Sequence, residues 1–367
     1  SEGLKTNHSI HASAVFVFNN GFLAQNSFMR APNGVPITAC DMHDTDEMGG
    51  LKIDLLRTDC QTKLKKCMEL LLEDGKIQWQ GSLRATYDKY LHPDVLEYTD
   101  PKMWDIACEG KINQLFQFET MVGGTYIRKI RPRSVVQLAS ANSLMRLQGT
   151  IDNMSHAERY IKFRDVKGAW EEEMARNGLT PEEMEILRPV LKSSFGASIE
   201  QEDFMALVML PRVANFSMKD ANGLRKAIAK KKPALLEEYR QKFYEQGRQI
   251  HTSEHVLNYV WNYCIYPLAG YSFAKSHSTG YSLESLQEMN LATQYGSPIY
   301  WDCAVLCSNA GSVDTDEDAD EDVEEEDNKK TAVTNYEKIS KALTKIALSG
   351  VIVSEPDINT SMIDFKP

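Results

Sequence analysis

From Leu64 onward the apolar residues recur at helical spacing and keep doing so for most of the chain, which makes its larger part almost wholly helical. Leu64, Cys67, Met68, Leu71 and Leu72 open the pattern, and Gly75 sits where a C-terminal cap is expected. Thr180, Pro181 and Glu183 supply an N-cap, a first-turn proline and a capping-box partner. Ser217 with Asp220 marks a second cap. The helix it starts should end at Pro233, because proline disfavours helical geometry in the residue before it. Further helices are predicted over 234–246, 253–266, 281–295, 298–308 and 331–348. Before Leu64 two runs read as strands: the alternating SAVFVF from Ser13 to Phe18, and LKIDLL from Leu51 to Leu56. A last strand-like run is VIV at 351–353. The expected class is α+β, a small β-containing segment followed by a large, mostly helical domain.

At 367 residues and 42% hydrophobic content the chain can bury a large core, and at roughly 150 residues per domain it suggests two or three units. It has no run of about 18 uncharged apolar residues, and SEGLKTNHSIHAS lacks the regions of a secretory signal. The expected compartment is the cytoplasm, with no membrane partner. Seven cysteines, at 40, 60, 67, 108, 264, 303 and 307, form no pair at zinc-ribbon spacing and are expected to be buried, reduced thiols. The net charge of -11 argues against nucleic acid until it is located: eleven acids and no base lie between Asp314 and Asp327, so the other 41 acids balance the 41 Lys and Arg. That run should be solvated and without fixed structure. Bases gather instead in RKIRPR, Arg128 to Arg133, and LRKAIAKKK, Leu224 to Lys232.

Asp54 is the sharpest single candidate. A carboxylate on a short strand between large apolar residues either pairs, binds a metal or points to water on an exposed face, and the local pattern leaves these open. Asp41, Asp44 and Asp46 read either as a metal cluster, Asp44 and Asp46 sharing one side of an extended strand, or as an acidic surface turn, which is the favoured reading. HTSEH, His251 to His255, fits a zinc-hydrolase pattern weakly, since no third ligand is evident. Arg225, Lys226 and Lys230 share a helix face suited to a triphosphate, although bases near a helix C-terminus also simply complement its dipole. AGYSFAKSHSTGYS, Ala269 to Ser282, reads as a loop able to bring Lys275, Ser276 and His277 to a phosphate or base. A surface turn would explain its glycines but not Tyr271, Phe273 and Tyr281. There is no Walker A loop, dinucleotide fingerprint or nucleophile elbow.

Taken in order, EGLKTNHSIHASAVFVF, DMHDTDEMGGLKIDLL, LFQFETMVGGTYIRKIRP, FGASIEQEDFM, FSMKDANGLRKAIAKKKP, AGYSFAKSHSTGYSLESLQ and VIVSEPDINTSMIDF resemble the bacterial and phage family C replicative DNA polymerases, of the polymerase III alpha type. The resemblance is collinear from Glu2 almost to the last residue, and AGYSFAKSHSTGYSLESLQ is its most specific motif. It implies a palm of the polymerase beta-like nucleotidyltransferase type over residues 1–60, fingers over 61–311, an acidic insertion at 312–330 and the end of the fingers at 331–367. Asp54 would be the third of three catalytic aspartates holding two Mg²⁺ ions. Arg146, Gln201, Glu202, Arg225, Lys226, Lys230, Lys275, Ser276 and His277 would bind substrate, the helix with Arg225, Lys226 and Lys230 serving the incoming nucleotide. Primer-template DNA and dNTP would be the substrates, and a sliding clamp would be reached through another chain.

The departures set further expectations. The other two aspartates, the thumb and the flanking domains of the family have no match here. The chain also opens on Ser1, so a break by split gene, intein junction or cloning is expected, and a separate N-terminal half is needed for catalysis. After Arg146 the family has proline and glycine, whereas Leu147 and Gln148 stand here before Gly149, and the acidic run has no family counterpart. The alternative is a non-catalytic DNA-binding or regulatory module derived from polymerase fingers.

Overall fold

The computed structural model describes residues 14–18, 21, 26–31, 34–54, 58–229, 233–310, 336–348, 351–357, 359, 361 and 365–367. Two units are distinguished, one to Thr62 and one from Lys63. The predicted acidic insertion and Lys230 lie outside the described residues.

The first unit holds strands β1 (Ala14–Val17), β2 (Phe28–Arg30) and β3 (Pro36–Thr38), a short helix α1 (Met42–Glu47) and strand β4 (Leu51–Asp54). β1 pairs antiparallel with β4, Ala14 opposite Asp54 and Val17 opposite Leu51. Alternation therefore puts Val15, Val17, Leu51 and Ile53 on one face, where they are 52%, 48%, 63% and 42% exposed. β2 and β3 form a hairpin, with Gly34 at φ +82 in its turn. The sequence reading missed this pair, although Pro-Asn-Gly between two apolar runs is a hairpin signal. The segment with Asp44 and Asp46 is helical, not extended. Asp41 precedes α1 and accepts from the Asp44 amide at 3.1 Å, so the segment starts a helix rather than presenting a strand face.

Helices build the second unit. α2 (Asp59–Glu73) ends as predicted at Gly75, which adopts φ +65 while the Lys76 amide bonds back to the Leu71 carbonyl at 2.9 Å. α3 (Leu83–Tyr90), α4 (Pro101–Cys108), α5 (Met121–Ile130) and α6 (Val135–Leu144) follow. A two-residue-per-strand hairpin, β5 (Thr150–Ile151) and β6 (Met154–Ser155), leads to α7 (His156–Asp165) and α8 (Ala169–Arg176). α9 (Pro181–Leu191) carries the predicted capping box, Thr180 reciprocated by Glu183. α10 (Gln201–Met209) precedes α11 (Met218–Ala229), whose start is held by the predicted Ser217–Asp220 pair at 2.8 Å. α12 (Pro233–Gln249) and α13 (Glu254–Tyr259) come next, α13 continuing as one π-helical stretch, Val260–Ile265. α14 (Lys275–Thr293), α15 (Ile299–Ala310) and α16 (Tyr336–Leu348) complete the order.

α14 is the hub, packed on α4, α6 and α15. Its middle is buried on all sides although much of it is polar: Ser278, Ser282, Ser285, Gln287, Glu288 and Asn290 are each at most 5% exposed. A polar helix survives burial only if its side chains are hydrogen-bonded. Gln287 donates to the Tyr87 hydroxyl and the Leu91 carbonyl, and Asn290 exchanges bonds with both backbone groups of Glu97. α14 begins at Lys275, six residues before the predicted 281, so the expected loop is largely the first turns of this helix. Val351–Val353 form no strand. All seven cysteines are free, and five are buried. Among the described residues the class is α+β, mostly helical with small two-stranded antiparallel sheets.

Candidate functional site

The segment Ala197–Glu200 and the segment Ser272–Ala274 run side by side as a short parallel bridge, Glu200 opposite Phe273, with the Gln201 amide donating to the Phe273 carbonyl at 3.0 Å. Each segment opens a helix, α10 and α14, so the two helix starts lie together. Asp203 anchors the first: its Oδ2 accepts from the Ile199 and Glu200 amides, both at 3.0 Å. Glu202 anchors the second by accepting from the Lys275 amide at 2.7 Å, and Gln201 Nε2 donates to the Ser272 carbonyl at 2.9 Å.

Glu200 and Asp203 are 5% and 2% exposed. Two buried carboxylates this close need a cation, and Lys275 Nζ supplies it, 3.2 Å from Asp203 Oδ1 and 3.6 Å from Glu200 Oε2. Glu200 Oε1 also accepts from Ser278 Oγ at 2.5 Å and Ser143 Oγ at 3.1 Å, tying α6 to the same point. Burial is the main reason the Glu200 carboxyl titrates above its usual range; the hydroxyls and the lysine oppose it. For Lys275 burial alone would depress the ammonium, but Asp203 and Glu200 outweigh it and raise its pKa.

Above this buried network lies a more open face. Ser276 and His277, in the first turn of α14, are exposed. An aromatic series runs along the segment: Tyr271 to Phe273 at 6.5 Å, Phe273 to His277 at 6.1 Å, and His277 to Tyr281 at 6.0 Å between ring centroids. The Arg146 guanidinium packs over the Phe273 ring at 4.6 Å, and its Nη2 donates to Gln117 Oε1 at 2.5 Å. In the loop that departs from the family pattern, Leu147 turns inward at 7% exposure and Gly149 takes φ +86. Arg225 Nη1 reaches Gln201 Oε1 at 3.4 Å from α11, and Lys226 beside it is exposed.

The structure thus brings Arg146, Gln201, Glu202, Arg225, Lys275, Ser276 and His277 into one linked neighbourhood, with Lys226 on the adjoining helix. Gln201 and Glu202 spend their polar atoms on the backbone of residues 272–275. The sequence reading missed Glu200, Asp203, Ser143 and Gln117. The signal for the first two was the polar opening SIEQED, Ser198 to Asp203, directly before the apolar run FMALVML. Asp54 stands in the first unit, its backbone opposite Ala14 at the end of β4, with its side chain outside the described part. Among the described residues, which leave out the Asp54 side chain, no group of three His, Cys, Asp or Glu could hold a metal ion. His251 follows the C-terminus of α12 at φ +62 and His255 lies in α13, so the HTSEH pair does not share one helix. Of the basic cluster, Arg131 and Arg133 both reach Asp105 and Lys129 reaches Glu158.

A model of the bacterial DNA polymerase III alpha subunit finger domain matches residues 64–251, just over half of the chain. The chain belongs to this family, the family C DNA polymerases, and contains a segment of its fingers. The probable DNA polymerase YorL of Bacillus subtilis (strain 168) and the DNA-directed DNA polymerase of Bacillus phage SPbeta are each 40% identical over 365 residues, covering 100% of this chain and 27% of theirs. DNA polymerase III subunit alpha of Thermus aquaticus is 27% identical, over 100% of this chain and 26% of its own length. The chain therefore spans about a quarter of the length of these relatives. Among the described residues no helix is long and apolar enough to cross a membrane.

Proposed function

We propose that this chain supplies the fingers, and part of the palm, of a DNA polymerase that transfers nucleotides from dNTP to a primer 3′ hydroxyl on a DNA template. The observation that carries the reading is the convergence at the start of α14. A buried carboxylate–lysine network fixes the helix terminus beside an aromatic series that includes His277 and carries Arg146 over Phe273, with Ser276 exposed next to it and Arg225 reaching Gln201 from α11, where Lys226 is exposed. Cationic and hydroxyl donors suit a triphosphate, and stacked rings suit bases irrespective of sequence. In this reading Gln201 and Glu202 act by holding residues 272–275 rather than by touching substrate. Lys230, outside the described residues, is proposed as a further cation for the same ligand.

Residues 1–60 are read as the palm part, 61–311 and 331–367 as fingers, and 312–330 as an insertion. The two-stranded β1–β4 sheet supports the first assignment, since a lone pair of strands is marginal and its exposed apolar face of Val15, Val17, Leu51 and Ile53 suits completion by further polypeptide. Asp54 is proposed as one Mg²⁺ ligand. The resemblance would assign the other ligands to another part of the polymerase, and the ions would supply charge stabilisation for phosphoryl transfer.

Primer extension by the polymerase assembled around this chain tests the reading. Lys226→Ala should raise the KM for dNTP several-fold, with kcat little changed. Asp54→Asn should abolish nearly all turnover while DNA affinity, by anisotropy, is retained. An unchanged KM in the first variant contradicts the nucleotide face. Substantial turnover in the second contradicts the metal ligand and favours a non-catalytic DNA-binding module.

A further inference from the structure

The turn before α5 contains two non-glycine residues in left-handed backbone, Gln114 at φ 46 and Gln117 at φ 66. Such residues persist only where their surroundings over-determine them, and they gather at functional sites. Here the surroundings are explicit. Lys63 Nζ donates to the Gln114 carbonyl at 3.2 Å, and Trp301 Nε1 donates to the Asn113 carbonyl at 2.8 Å. Two residues of α14 grip the Phe116 peptide from both sides: Glu288, fully buried, accepts from its amide at 2.6 Å, and Ser285 donates to its carbonyl at 3.1 Å. On the far side α5 presses close, for a Cβ on Gly123 would stand 2.7 Å from the Gln117 carbonyl oxygen and 2.8 Å from the Phe118 Cα.

What this constraint delivers is one side chain. Gln117 Oε1 meets Arg146 Nη2 at 2.5 Å while the guanidinium lies over Phe273. An arginine has only donors, so the amide must present its oxygen. The other acceptor at hand, Asn142 Oδ1, is 3.5 Å away, and Arg146 Nε is buried with no hydrogen-bond partner. The orientation of the guanidinium therefore depends on Gln117 and the ring. We infer that Gln117 is a positioning residue, held in a strained turn so that the Arg146 guanidinium stays over Phe273 and can meet an anionic nucleotide there. The inference rests on the reading of this face as the nucleotide site.

The test uses the assembled polymerase with four variants: Arg146→Ala, Gln117→Gly, Gln117→Glu and the Arg146→Ala/Gln117→Gly double. Glycine suits φ 66, so Gln117→Gly should melt no lower than the parent, yet raise the KM for dNTP on the order of tenfold with kcat kept within about threefold. Gln117→Glu keeps an acceptor and should stay within about threefold of the parent KM. Adding Gln117→Gly to Arg146→Ala should change KM by less than about twofold, because the two act as one unit. If Arg146→Ala raises KM and Gln117→Gly does not, the positioning role is overturned and the nucleotide-site reading stands. If Arg146→Ala also leaves KM unchanged, both are overturned. A fall in melting temperature with multiplicative losses in the double variant would make Gln117 merely structural and overturn the inference.

Discussion

Lys275 shows how a single charge decides whether the site can exist. It faces two carboxylates that are 5% and 2% exposed, and removing it leaves both without a cation. Lys275→Met should destabilise the protein by about 2 kcal/mol at pH 8, below the roughly 3–5 kcal/mol of a fully buried pair because the lysine side chain is itself 41% exposed. The sign of the pH dependence follows from proton binding. Burial already holds the Glu200 carboxyl above its usual range, and without the opposing cation its folded pKa lies further above that of the unfolded chain, so the variant regains stability as pH falls. Urea titrations at pH 8 and pH 5 check this, and an equal deficit at both would contradict it. The second buried ion pair has no such surface. Arg159 and Glu173, 1% and 3% exposed, meet through two hydrogen bonds of 2.9 and 2.5 Å, with the Tyr259 hydroxyl donating to the same carboxylate at 2.8 Å. Glu173→Ala should cost about 3–5 kcal/mol by leaving a buried guanidinium unpaired. Replacing the pair by Arg159→Met with Glu173→Leu should cost much less in the same denaturation assay.

At the scale of elements, joins matter more than the helices themselves. After α9 the chain turns at Gly196, whose φ of +104 excludes other residues and whose Cβ would stand 2.2 Å from the Trp170 ring. Gly196→Ala should therefore cost about 3 kcal/mol, read as a lowered melting temperature. α15 meets α16 near Asp302, where burial pushes the carboxyl up to about 6 although Lys345 works against it. A folded-state pKa above the unfolded value means stability present below about pH 4 and lost as pH rises through about 6. The loss is about 3 kcal/mol by linkage, and Asp302→Asn should flatten that part of the stability–pH profile. Element joins were also where the sequence was readable or not. Thr180, Ser217 and Gly75 announced themselves because a cap is a local bond between neighbours in the chain. The start of α14 did not: the Ser, His, Thr and Gly of Lys275–Gly280 are weak helix formers, and its first turn is held by Glu202 on the Lys275 amide and Glu200 on the Ser278 hydroxyl, which no local pattern connects to it.

For the whole molecule, the α+β class followed from where the apolar period changes, and the family from motifs in order. The site was legible as a set of residue types but not as an arrangement. Lys275 was expected to reach a phosphate or base, yet its ammonium is held by Asp203 and Glu200, and the exposed Ser276 and His277 beside it, with Lys226 exposed on α11, are the groups proposed to meet a ligand. Gln117 was invisible because its role depends on a left-handed turn gripped by residues about 170 positions away. The charge of -11 misled only as a total; located, it left bases at the ends of α5 and α11. The central claim is that the start of α14 holds the incoming nucleotide. Photo-crosslinking of a base-azido dNTP to the assembled polymerase on a primer-template, followed by peptide mapping, tests it most directly. The account predicts label within residues 271–281, lost on competition with the matching unmodified dNTP; label confined to other segments, with 271–281 unmarked, would contradict it.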